Sequence, residues 1–268
     1  MTVLVVDSGI GGLSILREAR VVLPMQRFVY VGDDAGFPYG DWQEAELIEH
    51  IVALFERLLN KYQPDVAIVA CNTASTLIMP ALRERFDVPI VGTVPAIKPA
   101  AERTRSGMIS VLGTPGTIKR SYIQNLINEF ASDVDVNLVA ASGLAQIAED
   151  YMQNRDFDAA RLLQEIAPCF QEVNGRRTDI VVLGCTHYPF LANQMRKLAP
   201  WPVDWIDPSE AIALQSRSVL DALGLTFEVA QYSNNLDPDL AVMTSGAPSP
   251  ALGRILRGFG FKFTDEVE

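Results

Sequence analysis

The feature that most constrains this chain is a series of short runs in which apolar, mostly β-branched residues follow one another without alternation. They are Val3–Val6, Phe28–Val31, Val66–Ala70, Ile90–Val91, Ile109–Leu112, Val136–Val139, Ile180–Leu183 and Val203–Ile206. Side chains of a strand point alternately to its two faces, so apolar residues in succession mean that both faces are covered. Most runs close on Gly, Asp, Ser, Asn or Thr, and stretches of helical periodicity lie between them. Strands covered on both sides and separated by helices describe parallel sheets in an α/β architecture. The clearest helix reads over Asp41–Tyr62, where Leu47, Ile48, Ile51, Val52, Leu54, Phe55, Leu58 and Leu59 recur at three and four. Asp41 and Glu44 stand at capping-box spacing, and Pro64 follows the end. His50 falls inside this helix and reads as structural or exposed.

An internal echo divides the chain. Val66-Ala-Ile-Val-Ala-Cys71-Asn72-Thr73 parallels Ile180-Val-Val-Leu-Gly-Cys185-Thr186-His187: an apolar strand, a small residue, cysteine, then two polar residues. Leu4-Val-Val-Asp7-Ser8-Gly9 is echoed more weakly by Ser110-Val-Leu-Gly113-Thr114-Pro115-Gly116. With 268 residues the chain is long enough for two domains of roughly 150 residues or fewer. The expected fold is two pseudo-symmetric parallel-sheet α/β lobes with the active site in the cleft between them. The first lobe is placed at 1–93 plus 206–268 and the second at 94–205.

Composition excludes several classes. Asp plus Glu outnumber Lys plus Arg by 33 to 22, a formal charge of −11 that repels phosphate backbones and argues against nucleic acid as the main ligand. No apolar run approaches the ~20 residues of a membrane span. The start, Met-Thr-Val-Leu-Val-Val-Asp7, has no signal-peptide pattern and reads as the first strand. Three cysteines are an odd number, too few for a disulfide framework, so a reducing cytoplasm is the expected location.

In parallel α/β sheets, ligands bind beyond the carboxyl ends of strands, where Cys71 and Cys185 both fall. A helix is expected to start after each, and its unpaired N–H groups and dipole would stabilise a thiolate. Cys169, within the apolar-rich stretch Leu162–Phe170, reads as core. Three chemistries compete for the pair. A metal needs about four ligands, and Cys71, Cys185 and His187 give three in an unfamiliar spacing. A redox disulfide usually uses Cys-x-x-Cys, which is absent. A two-base site needs one thiol on each side of a carbon acid, and the echo supplies two similar groups; a free thiol at pKa ≈ 8.5 is close enough to neutrality for either role. His187, two residues from Cys185, can tune that thiol or serve as a hydrogen-bonded structural histidine. Asp7, at the end of the first strand, reads as a turn cap or as a carboxylate beside thiol or substrate. The turn Asp7-Ser8-Gly9-Ile10-Gly11-Gly12 is neither a dinucleotide fingerprint nor a Walker loop, but its N–H groups can hold a small anion, as can those of Gly113-Thr114-Pro115-Gly116-Thr117. Lys98 and Lys119 lie near loops without a phosphate-cradling motif, which disfavours pyridoxal phosphate.

Asp7-Ser8-Gly9-Ile10-Gly11-Gly12, Pro38-Tyr39-Gly40, Ala70-Cys71-Asn72-Thr73-Ala74-Ser75 and Gly184-Cys185-Thr186-His187-Tyr188-Pro189, in this order, resemble the motif series of the glutamate racemases, within the aspartate/glutamate racemase superfamily. The resemblance implies cofactor-independent racemisation of glutamate by two cysteines, with no metal, in the cytoplasm. It also implies supply of D-glutamate for peptidoglycan, and hence cell-wall biogenesis and cell shape. By the same resemblance Asp7 and His187 assist Cys71 and Cys185, while Ser8, Tyr39, Gly40, Asn72, Thr73, Thr117 and Thr186 contact the substrate. A homodimer is the expected assembly. Departures are Asp34, where members usually carry Thr or Asn, Gly36, often Arg, and Asp41, usually Lys or Arg. Gln146 stands where a Glu often does, although Glu149 is near, so an acid that would support His187 is expected to be missing. The chain starts at its first strand without the N-terminal extension of members regulated by a cell-wall precursor, so such activation is not expected.

Overall fold

A computed structural model describes residues 1–225, 237–246 and 248–263. The chain divides into two compact units, Met1–Thr93 with Ser209–Glu268, and Val94–Pro208. The return crossing lies just beyond the position read from sequence, because the last strand of the second unit runs to Ile206. Residues 226–236, 247 and 264–268 of the span assigned to the first lobe lie outside the described residues.

The first unit runs β1 (Thr2–Asp7), α1 (Leu13–Val22), β2 (Arg27–Gly32), α2 (Glu44–Tyr62), β3 (Val66–Val69), α3 (Asn72–Arg85) and β4 (Ile90–Gly92). The second contains α4 (Ile97–Arg103), β5 (Met108–Gly113), α5 (Pro115–Ile118), α6 (Ser121–Phe130), β6 (Asp135–Ala140), α7 (Leu144–Met152), α8 (Ala159–Ile166), β7 (Glu172–Val173), β8 (Arg176–Arg177), β9 (Ile180–Leu183), α9 (Ala192–Leu198) and β10 (Asp204–Ile206). The chain then returns to the first unit with α10 (Ser209–Ala222), β11 (Leu240–Met243), α11 (Pro250–Gly258) and β12 (Lys262–Phe263). Every apolar run read from sequence is a strand. Both main sheets are parallel throughout, in the orders β12-β11-β2-β1-β3-β4 and β10-β9-β5-β6.

The echo is a matter of topology as well as of sequence. The run β2-β1-β3-β4 in one sheet has the same order as β6-β5-β9-β10 in the other. Each cysteine-bearing strand, β3 or β9, therefore neighbours the strand that opens its unit's sheet, β1 or β5. The central strands are sealed: β3 and β9 are buried at every residue.

Helix α2 shows how the sequence pattern becomes packing. Leu47, Ile51, Leu54, Phe55 and Leu58 are its buried face, each contributing about 1.5–3 kcal/mol of transfer free energy. At its C-terminus Gln63 takes the left-handed conformation, φ 44°, and donates its N–H to the Leu59 carbonyl at 3.0 Å. At its N-terminus the expected Asp41–Glu44 capping box does not form. Asp41 belongs instead to a 3₁₀ turn over Tyr39–Asp41, where its N–H is committed to the Pro38 carbonyl at 3.2 Å, and the helix begins after Gln43. No helix among the described residues is long and apolar enough to cross a membrane.

Candidate active site

In the first unit, β1 sits between β2 and β3, which brings Asp7 alongside the start of the Cys71 turn: Ala70 donates its N–H to the Val6 carbonyl at 2.7 Å. Asp7 is fully buried, and its carboxylate accepts the Gly9 N–H at 3.0 Å, the turn-cap role that its position allows. Gly12 is required by close approach, because a Cβ there would lie 2.8 Å from the Asp7 Cβ and 3.0 Å from that of Ala70. Cys71 is the extended N-cap residue of α3, so its sulfur lies where unpaired helix N–H groups favour a thiolate. Ser8 Oγ is 3.9 Å from Cys71 Sγ. Asn72 and Thr73 open α3 and are buried; both polar atoms of the Asn72 amide are buried without a hydrogen-bond partner. A buried amide in that state is costly unless a ligand group completes it.

Tyr39 lies buried in the 3₁₀ turn, with Gly40 beside it, and packs in the same apolar cluster as Cys71. Burial, then the neighbouring Asp33 carboxylate, push the Tyr39 phenol well above its usual range, and the charges of Cys71 and Asp7 add to this. The Tyr39 hydroxyl is thus within electrostatic reach of both residues read as the reacting pair of this unit.

In the second unit, Cys185 follows β9, and its sulfur is 3.8 Å from His187 Nδ1. The other ring nitrogen, Nε2, donates to Glu149 Oε1 at 3.0 Å, and Gln153 Nε2 donates to Glu149 Oε2 at 3.1 Å. A carboxylate only accepts, so this contact places a proton on Nε2, and with that tautomer Nδ1 faces the thiol as an acceptor. Thr186 and Thr117 are buried. Thr117 lies on α5 after β5, with its hydroxyl 3.1 Å from that of Thr114, which caps the helix by accepting the Thr117 N–H at 3.2 Å. Tyr188, three residues beyond Cys185, is fully buried; burial, then the Cys185 charge, drive its phenol well above the usual range.

Two expectations are corrected here. No α-helix starts directly after Cys185: a 3₁₀ turn, Tyr188–Leu191, intervenes before α9, in keeping with Pro189, which lacks an N–H to donate. The acid expected to be missing beside His187 is present. Gln146 faces solvent, bonding Asp150 at 3.1 Å, while Glu149, one helical turn on, is buried and holds the ring. The signal was in the sequence: Leu144, Ala145, Ala148 and Glu149 share the inner face of α7, and a carboxylate on an otherwise apolar stripe needs a partner. Sequence reading also missed Asp33 and Tyr188. Cys169 is core as expected, its thiol pushed up to about 12 by burial.

The site residues thus form two clusters, each within one unit: Asp7, Ser8, Tyr39, Gly40, Cys71, Asn72 and Thr73 in the first, and Thr117, Glu149, Cys185, Thr186 and His187 in the second. Comparison with known proteins gives the context. A sequence model of the Asp/Glu/Hydantoin racemase family matches residues 30–215. The chain belongs to that family. A glutamate racemase from Brucella canis is 56% identical over 262 residues, covering 97% of this chain and 93% of the relative. Among solved structures, the Escherichia coli glutamate racemase in complex with L-glutamate and the activator UDP-MurNAc-Ala matches with a TM-score of 0.86 at 36% identity. That match covers 98% of this chain and 96% of the other. A glutamate racemase isoform from Bacillus anthracis matches with a TM-score of 0.80 at 26% identity, over 99% and 97% of the two chains. The family's two lobes are the two parallel-sheet units of this racemase.

Proposed function

We propose that this enzyme interconverts L- and D-glutamate by cofactor-independent 1,1-proton transfer between Cys71 and Cys185, in the cytoplasm, supplying D-glutamate for peptidoglycan. One observation carries the reading. The two sheets share a four-strand order in which equivalent strands, β3 and β9, are each followed two residues on by a cysteine; Ser8 lies against one sulfur beside Asp7 at the end of the neighbouring β1, and His187, held by Glu149, lies against the other. The relatives named glutamate racemase supply the substrate.

In the L-to-D direction the Cys185 thiolate takes the α-proton. The electron pair of the broken C–H bond is held by the α-carboxylate as an enolate, and the Cys71 thiol gives its proton to the opposite face. Cys71 is left as thiolate and Cys185 as thiol, with no change in oxidation state; the reverse reaction exchanges the roles. A thiol at its ordinary pKa is only a few per cent ionised at neutral pH, so each needs help. His187 takes the Cys185 proton through Nδ1, with Glu149 stabilising the imidazolium. Asp7, the adjacent Ser8 and the N-terminus of α3 do the corresponding work at Cys71. The orphaned Asn72 amide, Tyr39, Gly40, Thr73, Thr117 and Thr186 bind the carboxylates and ammonium group. The test is incubation with L-glutamate in deuterium oxide. Solvent deuterium at the α-carbon together with loss of optical rotation supports the reading, and a Cys71→Ala, Cys185→Ala enzyme that still racemises glutamate overturns it.

A further inference from the structure

The polar contacts of the loop between β2 and α2 converge on one buried carboxylate. Asp33 is 1% exposed. Its Oδ2 accepts the Tyr39 hydroxyl at 2.5 Å and lies 2.6 Å from His50 Nε2, while its Oδ1 accepts the Thr244 hydroxyl at 2.6 Å. Because the carboxylate only accepts, His50 Nε2 carries a proton toward it. The imidazole is itself clamped. Trp42 stacks on it with ring centroids 4.9 Å apart, and the Trp42 indole N–H reaches back to the Gly36 carbonyl at 2.9 Å. Gly36 explains why the loop can close on this cluster. A Cβ there would lie 2.7 Å from Asp33 Oδ2, 3.0 Å from Tyr39 Cε1 and 3.2 Å from His50 Nε2. The adjoining Asp34 ties the same loop to Ser245, whose N–H and hydroxyl it accepts at 2.9 and 2.5 Å.

Two-thiol chemistry has no use for His50, which lies on α2 and reaches the site only through other side chains. A carboxylate this buried is costly as an anion without strong donors, and only His50 among its three donors can carry a formal positive charge. We infer that His50 is a positioning residue: through Asp33 it fixes the Tyr39 hydroxyl, and with it the Tyr39-Gly40 segment, and so sets substrate affinity without touching the substrate. The inference rests on the proposed glutamate site for its kinetic arm.

The experiment compares His50→Leu, His50→Gln, Tyr39→Phe and the His50→Leu, Tyr39→Phe double variant. For His50→Leu, KM for L-glutamate is expected to rise on the order of tenfold, the scale of one charge-assisted hydrogen bond, while kcat stays within about threefold. His50→Gln keeps an N–H within reach of Asp33 and should recover most of the affinity. The double variant should cost no more than the worse single, because both substitutions cut the same chain of contacts. Backbone hydrogen exchange across residues 33–42 should accelerate in His50→Leu and not in β1 or β3, a readout that needs no turnover. An unchanged KM in active His50→Leu, additive effects, or unchanged exchange across 33–42 overturns the inference. If the wild-type enzyme does not act on glutamate, the substrate assignment fails instead, and the exchange measurement still decides whether His50 holds the loop.

Discussion

Replacing Glu149 by glutamine removes one charge from the Cys185 cluster with almost no change in shape. The His187 and Glu149 side chains are 2% and 10% exposed, so solvent screens their interaction little. A hydrogen bond to a charged partner contributes about 1.5–3 kcal/mol and a neutral one about 0.5–1.5, so the substitution should forfeit about 1–1.5 kcal/mol when His187 becomes imidazolium. That corresponds to about tenfold in rate. The carboxylate now accepts from both His187 and Gln153, whereas an amide has one oxygen. Gln153 must therefore turn its own amide, and its exposed contact from Arg155 at 3.0 Å is the bond given up. Glu149→Leu, by contrast, strands a buried N–H and should cost more, about 1–3 kcal/mol of stability besides the rate. Steady-state efficiency cannot show which face is affected, because the equilibrium constant of racemisation is one and ties the two kcat/KM values together. The assay is therefore the primary deuterium isotope effect measured from α-deuterated L- and D-glutamate. Glu149→Gln should raise it in the direction where Cys185 is the base and change it less in the other. A rate within about twofold of wild type, far below the usual range for acid–base assistance, or equal isotope effects in both directions, would refute the assignment of Glu149 to His187.

The cysteines should separate by face. Cys185→Ser is expected to block α-proton removal from L-glutamate and Cys71→Ser from D-glutamate, with Asp7→Asn slowing the Cys71 direction, all read by solvent-deuterium exchange. Cys169→Ser should stay near wild type in rate, and native alkylation should spare Cys169, whose thiol stays protonated at neutral pH; rapid labelling there would contradict its burial. Activity should survive exhaustive chelation, since proton transfer between two thiols needs no Lewis acid and Cys71, Cys185 and His187 fall short of the usual four zinc ligands; loss restored by one metal ion would overturn this. Partial burial raises the Asp179 carboxyl, but bonds from the Thr104 hydroxyl at 2.6 Å and from the Arg105 and Ser106 N–H groups at 2.7 and 2.9 Å outweigh it and hold the group below the usual range. A depressed folded value contributes stability above the unfolded pKa of about 3.9 that is lost as pH falls through the folded value. The gap in Tm between wild type and Asp179→Asn should therefore be full at pH 7 and shrink below about pH 4; a constant gap would assign the loss to packing.

Strands were legible in this sequence because burial on both faces leaves an unbroken apolar run, a pattern that needs no knowledge of partners. The strands that were missed show where that signal stops. Leu240–Met243 is a genuine parallel strand against β2, but it is only four residues long and follows the turn-rich Asn234-Asn235-Leu236-Asp237-Pro238. The β7–β8 hairpin is exposed at all four residues and carries Arg176 and Arg177, so no burial marks it. The helix after Cys185 failed for a similar reason. The echo with Cys71 described the strand and the sulfur faithfully, but Pro189, placed where the first turn must form, belongs to one copy only.

The site divides along the same line. Residues whose placement follows from position at a strand end, Asp7, Cys71 and Cys185, could be read from a linear pattern because topology alone sends them to the carboxyl edge. Residues whose role follows from a partner distant in sequence could not. Glu149 meets His187 across 38 positions and Asp33 meets Thr244 across 211. What the linear pattern did offer was a mismatch: an acid on the apolar stripe of α7, and an imidazole in the mainly apolar helix α2. Two of the departures from the family pattern resolve in the same terms. Gly36 is small because Asp33, Tyr39 and His50 fill the space its side chain would need, and Asp34 has Ser245 to bind. A titratable group on a mainly apolar helix, buried like Glu149 or part-buried like His50, is thus a request for a partner elsewhere in the fold. In this chain two such requests, one in each unit, end next to the residues read as catalytic or substrate-binding.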